Sequence, residues 1–298
     1  MWGSQSWLQP PFRRLLRQST LLLLAVFLTS CAPKPEPAWF KDIALETGID
    51  FVHNTGATGQ YYMPEIMGSG GGLLDYDADG DLDVILMQGA PLPAGAGGTG
   101  SRLYRNELIP SGKLQFKEVT RESGFHYNSY GMGVTTGDFD GDGRVDVLVT
   151  GFGGNALFRN EGGSFRNVTA EHPDVALPGR WSSGSAFFDF DSDGRHDLVI
   201  LNYLDYSIDG NKRCTAPSGE VTYCTPKAYS PTSIRLFHNN RGRLMDVTER
   251  AGGNRALGRG LGGARPGGID LDEEPDNGED GDSKRDLEPE HAQKASLA

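Results

Sequence analysis

The sequence predicts an all-β fold of repeated four-stranded units, and three observations carry this prediction. A nine-residue pattern, D-[FY]-D-x-D-G-x-x-D, occurs three times, at 75–83, 138–146 and 189–197. Each copy is followed by a continuous apolar run of strand length, which is typical of strands buried on both faces. Glycine accounts for 42 of 298 residues, about twice its average usage, without a collagen period. So many glycines indicate many turns between short strands, and no long amphipathic helix competes.

The three aspartate loops predict calcium sites. Carboxylates at positions 1, 3 and 5 of a tight loop repel one another unless a cation lies among them, and such hard oxygen ligands suit Ca2+. Glycine at position 6 permits the positive φ of a sharp bend, and position 7 offers a backbone carbonyl. The predicted metal positions are Asp75, Asp77, Asp79, Asp81, Asp83, Asp138, Asp140, Asp142, Arg144, Asp146, Asp189, Asp191, Asp193, Arg195 and Asp197.

These loops differ from an EF-hand in their closing ligand. An EF-hand closes with a bidentate Glu at position 12, between two helices. Position 12 here is Leu86, Val149 or Ile200, each within a β-rich run. Position 9 is therefore the predicted closing carboxylate. The alternative is that Asp and Gly only mark turns, but three copies in phase favour Ca2+ in a structural role.

Each unit repeats its segments in a fixed order. An apolar strand enters the aspartate loop, a second strand leaves it, and the motifs Leu-aromatic-x-Asn and Phe-x-x-Val-Thr follow. Successive loops begin 63 and 51 residues apart, which fits propeller blades of about 40–50 residues with insertions. The insertions are expected between the second and third strands, at 88–101 and 205–231. The aromatics at loop position 2 are expected to pack between neighbouring sheets; they are Tyr76, Phe139 and Phe190.

The N-terminal segment 1–30 has the pattern of a lipoprotein signal peptide. Three arginines between 13 and 17 precede an apolar stretch at 21–28, which is too short to span a bilayer as a mature helix. The sequence Leu-Thr-Ser-Cys31 resembles a bacterial lipobox, in which the cysteine is lipidated, and an ordinary secretory signal is the alternative. A proline-rich spacer follows at 31–38. We therefore expect an exported protein, lipid-anchored at the bacterial cell envelope on the outer membrane, in the periplasm or at the surface.

The remaining cysteines, Cys214 and Cys224, lie in a segment rich in turn-forming residues. In an exported protein such a pair is most simply a disulfide that closes a local loop. A metal site is the weaker alternative, because no nearby His or Cys completes a tetrahedral set. The absence of C-x-x-C-H excludes c-type haem attachment.

The formal charge of −12 is concentrated near the C-terminus, where residues 269–290 contain 11 acidic and 2 basic residues. No basic patch with interleaved aromatics occurs, so nucleic acid is not an expected partner. The polar, acidic composition of residues 258–298 predicts a degenerate fourth repeat followed by a disordered tail.

The repeat as a whole resembles the FG-GAP/VCBS repeats of integrin-α-type β-propellers. The closer resemblance is to bacterial ASPIC/UnbV-domain proteins related to cartilage acidic protein, and it lies in segments 48–54, 61–68 and 223–226 and in the aspartate loops. The resemblance covers about residues 39–257 and implies a β-propeller whose loop aspartates bind Ca2+. With about three four-stranded blades, we expect a partial β-propeller.

The resemblance breaks down after residue 257. The next loop degenerates at 270–276, and the ASPIC/UnbV region expected of the family is absent. A closed ring normally needs at least about four blades. We therefore expect a truncated or frameshifted version of a longer propeller, and the alternative is a partial propeller completed by an oligomer partner.

The expected function is a non-enzymatic, Ca2+-stabilised repeat domain for adhesion, carbohydrate binding or protein–protein interaction. Its partner would be an extracellular or periplasmic protein or glycan, and the insertion at 205–231 is either a binding loop or a decorative one. The alternative is a propeller-type enzyme, a lyase, hydrolase or quinone-dependent dehydrogenase, with His53, Glu65 and His126 as candidate groups. No G-x-S-x-G, H-E-x-x-H or P-loop motif supports that alternative.

Overall fold

The computed structural model describes residues 40–93, 100–254 and 257–260. The predicted signal peptide, Cys31, the whole spacer and the acidic segment 269–290 lie outside the described residues. Two units are distinguished, Met1–Ile43 and Ala44–Ala298, and every strand below belongs to the second. In the described part of the chain, no helix has the length and apolar character needed to cross a membrane.

Three four-stranded antiparallel sheets form the main part of the second unit, one for each aspartate loop. The first sheet comprises β1 (Gly71–Leu74), β2 (Asp83–Leu86), β3 (Arg102–Asn106) and β4 (Phe116–Glu118). The second comprises β5 (Tyr130–Gly137), β6 (Asp146–Phe152), β7 (Ala156–Asn160) and β8 (Phe165–Asn167). The third begins with β9 (Ser182–Phe188) and β10 (Asp197–Asn202).

The chain then leaves the third sheet through the predicted insertion. This segment contains β11 (Leu204–Asp205), β12 (Cys214–Thr215), β13 (Val221–Thr222) and β14 (Ser230–Ser233). The chain returns to complete the third sheet with β15 (Arg235–Asn240) and β16 (Arg243–Asp246), and β17 (Leu257–Gly258) then pairs with β14. Strand order within each four-stranded sheet follows the chain, with β15 and β16 as the third and fourth strands of the last one.

Helical segments are short in the described residues. Two α-helical turns, α1 (Leu108–Ser111) and α2 (Pro173–Ala176), join strands. Single 3-10 turns lie at Met63–Ile66, Thr169–Glu171 and Pro226–Ala228.

The second strand of each sheet supplies the core, as the continuous apolar runs predict. In β6, Val147, Leu148 and Val149 are all fully buried. Val149 packs in one cluster with Ile85 of the first sheet, and Leu148 in another with Ile200 of the third. A strand flanked by sheets on both sides has no solvent-facing position for a polar residue. The predicted fold class, all-β with four-stranded blades of a partial propeller, is confirmed.

The Phe-x-x-Val-Thr motif, which has Leu244 in place of Phe in the third sheet, connects the end of the fourth strand to the third strand. In every sheet the threonine hydroxyl accepts the backbone N–H of the leucine in Leu-aromatic-x-Asn, at 2.9 Å. The three pairs are Leu103–Thr120, Leu157–Thr169 and Leu236–Thr248. The motif therefore recurs because it satisfies a backbone donor that the sheet itself leaves unpaired.

Candidate metal centres

Each aspartate loop joins the first strand of its sheet to the second. The predicted positive φ at position 6 is observed, at +98° for Gly80, +85° for Gly143 and +83° for Gly194. Position 4 is also left-handed, with φ of +61° at Ala78 and +62° at Ser192. This second bend was not predictable from the sequence, because only the middle loop has glycine at position 4.

The carboxylate at position 1 organises the turn. Asp75 accepts the backbone N–H of Asp79 at 3.1 Å and that of Gly80 at 3.0 Å. Asp138 and Asp189 make the equivalent pair of bonds in their own loops. The loops therefore keep the same hydrogen-bonded turn although their sequences differ at positions 2, 4, 7 and 8.

The carboxylate at position 9 is fully buried in all three loops, at Asp83, Asp146 and Asp197. One oxygen of Asp146 accepts the N–H of Phe139 at 3.1 Å, and the other accepts that of Asn160 at 2.8 Å. The same two bonds recur in the first and third sheets. Position 9 therefore holds the start of its loop against the third strand.

Three carboxylates converge in each of the first two loops. They come from positions 1, 3 and 9, and one oxygen from each lies within 4.8 Å of the others. The two groups are Asp75, Asp77 and Asp83, and Asp138, Asp140 and Asp146. In the third loop positions 1, 3 and 5 converge, at Asp189, Asp191 and Asp193. The cluster geometry thus places position 9 among the donors of the first two loops.

These carboxylates have the electrostatics of a cation site. Burial raises the pKa of Asp83 to about 6 and that of Asp146 to about 7, against the opposing effect of their backbone N–H donors. Burial, followed by repulsion from Asp79, also raises the pKa of Asp77. In the first loop, Oδ1 of Asp77 and Oδ1 of Asp81 are buried without a hydrogen-bond partner. Because an unpaired buried oxygen of a carboxylate is costly, this donor set fits a bound divalent cation.

In the second and third loops, arginine side chains pair with the carboxylate at position 5. In the second loop, Asp142 at position 5 pairs with the side chains of Arg144 and Arg159. In the third loop, Asp193 pairs with Arg195. Arginine at position 7 therefore neutralises the neighbouring carboxylate at position 5. The sequence pattern assigned only the backbone carbonyl of position 7 a role and did not predict this ion pair.

The asparagine of Leu-aromatic-x-Asn links the second and third sheets to the loop of the preceding sheet. Nδ2 of Asn160 donates to the backbone oxygen of Tyr76 at 2.8 Å, and Nδ2 of Asn239 donates to that of Phe139 at 2.6 Å. The motif is visible in the sequence, but its role in joining two sheets is not. The recurrence of asparagine after an aromatic was the available signal.

The third loop is more exposed than the other two. Tyr76 and Phe139 are 5% and 3% exposed, as predicted for aromatics packed between sheets, whereas Phe190 is 41% exposed. The prediction for Phe190 was therefore wrong. The physical reason is that, among the described residues, no further four-stranded sheet follows the third one to cover this ring.

The other predicted residues lie away from the loops. Cys214 and Cys224 form a disulfide with an S–S distance of 2.06 Å in the insertion. Glu65 is buried, and its carboxylate accepts hydrogen bonds from Thr58 and from the hydroxyl of Tyr223. The candidate catalytic residues His53 and His126 are exposed on the surface.

The fold and its loops define a class of repeat protein, and comparison with known sequences gives the repeat type. Residues 75–149 and 138–200 match the family of FG-GAP-like repeats, so the chain contains repeats of this kind. Cartilage acidic protein 1 of Xenopus tropicalis is 28% identical over 173 residues, 54% of this chain and 23% of the relative. The human protein of the same name is 26% identical over 173 residues. The chain spans less than a quarter of the length of these relatives.

Proposed function

We propose that this chain is a calcium-stabilised, non-catalytic repeat domain that acts outside the cytoplasm by binding a protein or a glycan. The observation that carries the metal assignment is the buried position-9 carboxylate, which sits beside two further carboxylates in each of the first two loops. Such a concentration of buried negative charge is unfavourable in the metal-free state. A Ca2+ ion coordinated by oxygens would stabilise it.

The metal role is structural in this proposal. Position 9 fixes the loop to the third strand, so cation binding strengthens a connection within one sheet. Each site at a hundredfold excess of Ca2+ over its Kd adds about 2.7 kcal/mol to the free energy of unfolding. For a domain of this size that corresponds to roughly 5–10 °C in Tm per site.

Calorimetric melting with and without chelator tests the metal assignment. We expect EDTA to lower Tm and Ca2+ to restore it. The substitution Asp77→Asn removes one charged donor while preserving shape, and it should reduce the Ca2+-dependent increase in Tm. Asp209→Asn is the matched control, because Asp209 is exposed in the insertion, away from the loops. An identical melt with Ca2+ and EDTA would refute the calcium role.

The binding surface in this proposal is formed by the insertion of the third sheet and the segment before the first sheet. Tyr223 donates to Glu65 at 3.0 Å, and the hydroxyl of Tyr206 accepts the N–H of Met63 at 3.3 Å. These hydrogen bonds hold together two segments that are far apart in sequence, and we call the surface that they form, around residues 61–65 and 205–231, the platform. Loops held on a rigid scaffold are common binding sites.

A pair of aromatic side chains marks this platform. Tyr61 and Tyr223 pack edge to face with ring centroids 5.1 Å apart, and Tyr61 is 37% exposed. Exposed tyrosine is favoured in recognition surfaces because it offers contact area and a polar group together. A glycan array on Ca2+-loaded protein, with Tyr61→Ala beside wild type, tests glycan binding. Array signals that the Tyr61→Ala variant retains in full would exclude this surface.

No observation favours the enzyme alternative. A groove runs between the first strands of the three sheets, and Gly70, Met132, Gly133 and Ser183 are among its lining residues. None of the residues lining this groove is titratable. Export is supported by the disulfide and by the N-terminal sequence pattern. Anchoring through Cys31 at a bacterial envelope belongs to the proposal, and metabolic labelling with a fatty-acid analogue in wild type and Cys31→Ser would test it.

A further inference from the structure

The third loop contains a second cluster, in which one donor is a nitrogen. Ligand atoms of Asp191, Asp197 and His238 all lie within 4.8 Å of one another. Nδ1 of His238 is 3.3 Å from Oδ2 of Asp191 and 3.3 Å from Oδ1 of Asp197. This nitrogen is buried and has no hydrogen-bond partner. It is therefore close to two carboxylates without donating a well-directed bond to either.

The equivalent residues of the other two sheets show that His238 is a local departure from the repeat. The residue before the motif asparagine is Arg105 in the first sheet and Arg159 in the second. Nε of Arg159 lies 2.6 Å from Asp140, which corresponds to Asp191. A guanidinium remains protonated and cannot bind a metal, whereas an imidazole is a common metal ligand. The histidine thus replaces a fixed positive charge with a potential ligand.

The spacing of the three atoms fits coordination of a small divalent ion. Two donors bound to a tetrahedral ion at about 2.1 Å are about 3.4 Å apart. The two nitrogen-to-oxygen distances of 3.3 Å are close to this value. A set of one imidazole and two carboxylates suits Zn2+ and neighbouring transition metals, while Ca2+ prefers six to eight oxygens. Asp191 is exposed, which leaves room for water in the remaining coordination position.

We propose that Asp191, Asp197 and His238 bind a divalent transition metal ion, with Zn2+ as the reference ion, while the first two loops bind Ca2+. The inference deepens the proposed metal role by assigning a different ion to one of the three loops. The ion links the loop between β9 and β10 to β15. In the second sheet the corresponding link is the ion pair between Arg159 and Asp140.

Isothermal titration of the chelator-treated full chain with Zn2+ tests the assignment. We expect one Zn2+ site that persists in excess Ca2+. His238→Arg, which installs the residue of the second sheet, should weaken Zn2+ binding by at least about tenfold, since even residues that only support a ligand cost that much. The matched control is His126→Arg, because His126 is exposed and outside the loops; it should bind Zn2+ as wild type does.

Three results would overturn the proposal: no Zn2+ binding, equal Zn2+ binding by wild type and His238→Arg, or complete displacement of Zn2+ by Ca2+. Far-UV circular dichroism verifies that His238→Arg is folded. If it is not, Asp191→Asn takes its place, since Asp191 is exposed and its removal should cause the same loss. The Ca2+-dependent Tm, measured on the same samples, separates the two ideas. A lost Ca2+ effect with intact Zn2+ binding would refute the calcium role alone.

Discussion

The link between neighbouring sheets should be measurable by removing Asn160. Its side chain makes four hydrogen bonds: Nδ2 donates to Tyr76 O at 2.8 Å and Val145 O at 3.2 Å, and Oδ1 accepts the N–H of Gly162 and of Gly163. A net hydrogen bond is worth about 1 kcal/mol, and a buried group left unpaired costs about 1–3 kcal/mol. Because water can reach the two glycines more easily than the two carbonyls, Asn160→Ala should cost roughly 3–4 kcal/mol.

The first sheet contains the matched control for this substitution. Asn106 occupies the same position, and its side chain makes two bonds, one to Leu82 O and one from the N–H of Leu108. Neither bond reaches another sheet, so Asn106→Ala should cost roughly 1–2 kcal/mol. Urea unfolding of the full chain in saturating Ca2+, followed by tryptophan fluorescence, gives both values. Equal costs for the two variants would refute the idea that this asparagine connects successive sheets.

Three further predictions concern the loops. Gly141→Ala should lower the free energy of unfolding in urea by about 0.5–1 kcal/mol. The reason is that φ at Gly141 is +79°, where an L-residue costs about 1–2 kcal/mol, less the gain from reduced entropy of the unfolded chain. Ala78→Gly should change the free energy of unfolding in the opposite direction, and changes of the same sign for both variants would contradict this prediction. In EDTA, the free energy of unfolding should fall as the pH rises from about 4 to 7, because the pKa of Asp146 is about 7 in the folded state and the stabilisation present below its unfolded pKa is lost as the pH rises through the folded one. Ca2+ should offset this loss above about pH 7. A Tm in EDTA that is independent of pH would count against this prediction. Arg159→Gln should increase the Ca2+ affinity measured by calorimetric titration, because the Arg159 guanidinium lies 2.6 Å from Asp140. In EDTA, the same substitution should lower the free energy of unfolding by less than about 1 kcal/mol, since the ion pair is partly exposed. An unchanged Ca2+ affinity would show that Arg159 does not compete with the ion.

The fold was predictable because its signals are local and repeated. A loop pattern, the apolar run after it and two short motifs are each read within about ten residues, and their order reveals the four strands of a sheet. Glycine at position 6 even predicts the sign of φ at Gly80, Gly143 and Gly194. Repetition raises the reliability of such signals, since an accidental pattern does not recur in phase.

The contacts that complete the sites were not predictable because they join distant residues. Asn160 and Tyr76 are 84 residues apart, and Tyr223 and Glu65 are 158 apart. No local sequence pattern indicates which sheet packs against a given loop, or which distant segment contacts an insertion. The burial of Phe190 was predicted wrongly for the same reason, because the burial of that position depends on a neighbouring sheet and not on the loop itself.

The three loops share one backbone frame but balance their negative charge in different ways. In the first loop, Arg105 donates to Glu107 at 3.0 Å, and two buried carboxylate oxygens remain without hydrogen-bond partners. In the second loop, Arg159 pairs with carboxylates at positions 3 and 5. In the third, His238 approaches positions 3 and 9. The residue before the motif asparagine and the residue at position 7 therefore set together how strongly a loop requires a cation. Because neither residue neutralises a carboxylate of the first loop by an ion pair, whereas Arg144 and Arg159 do so in the second, Ca2+ should bind more tightly to the first loop than to the second.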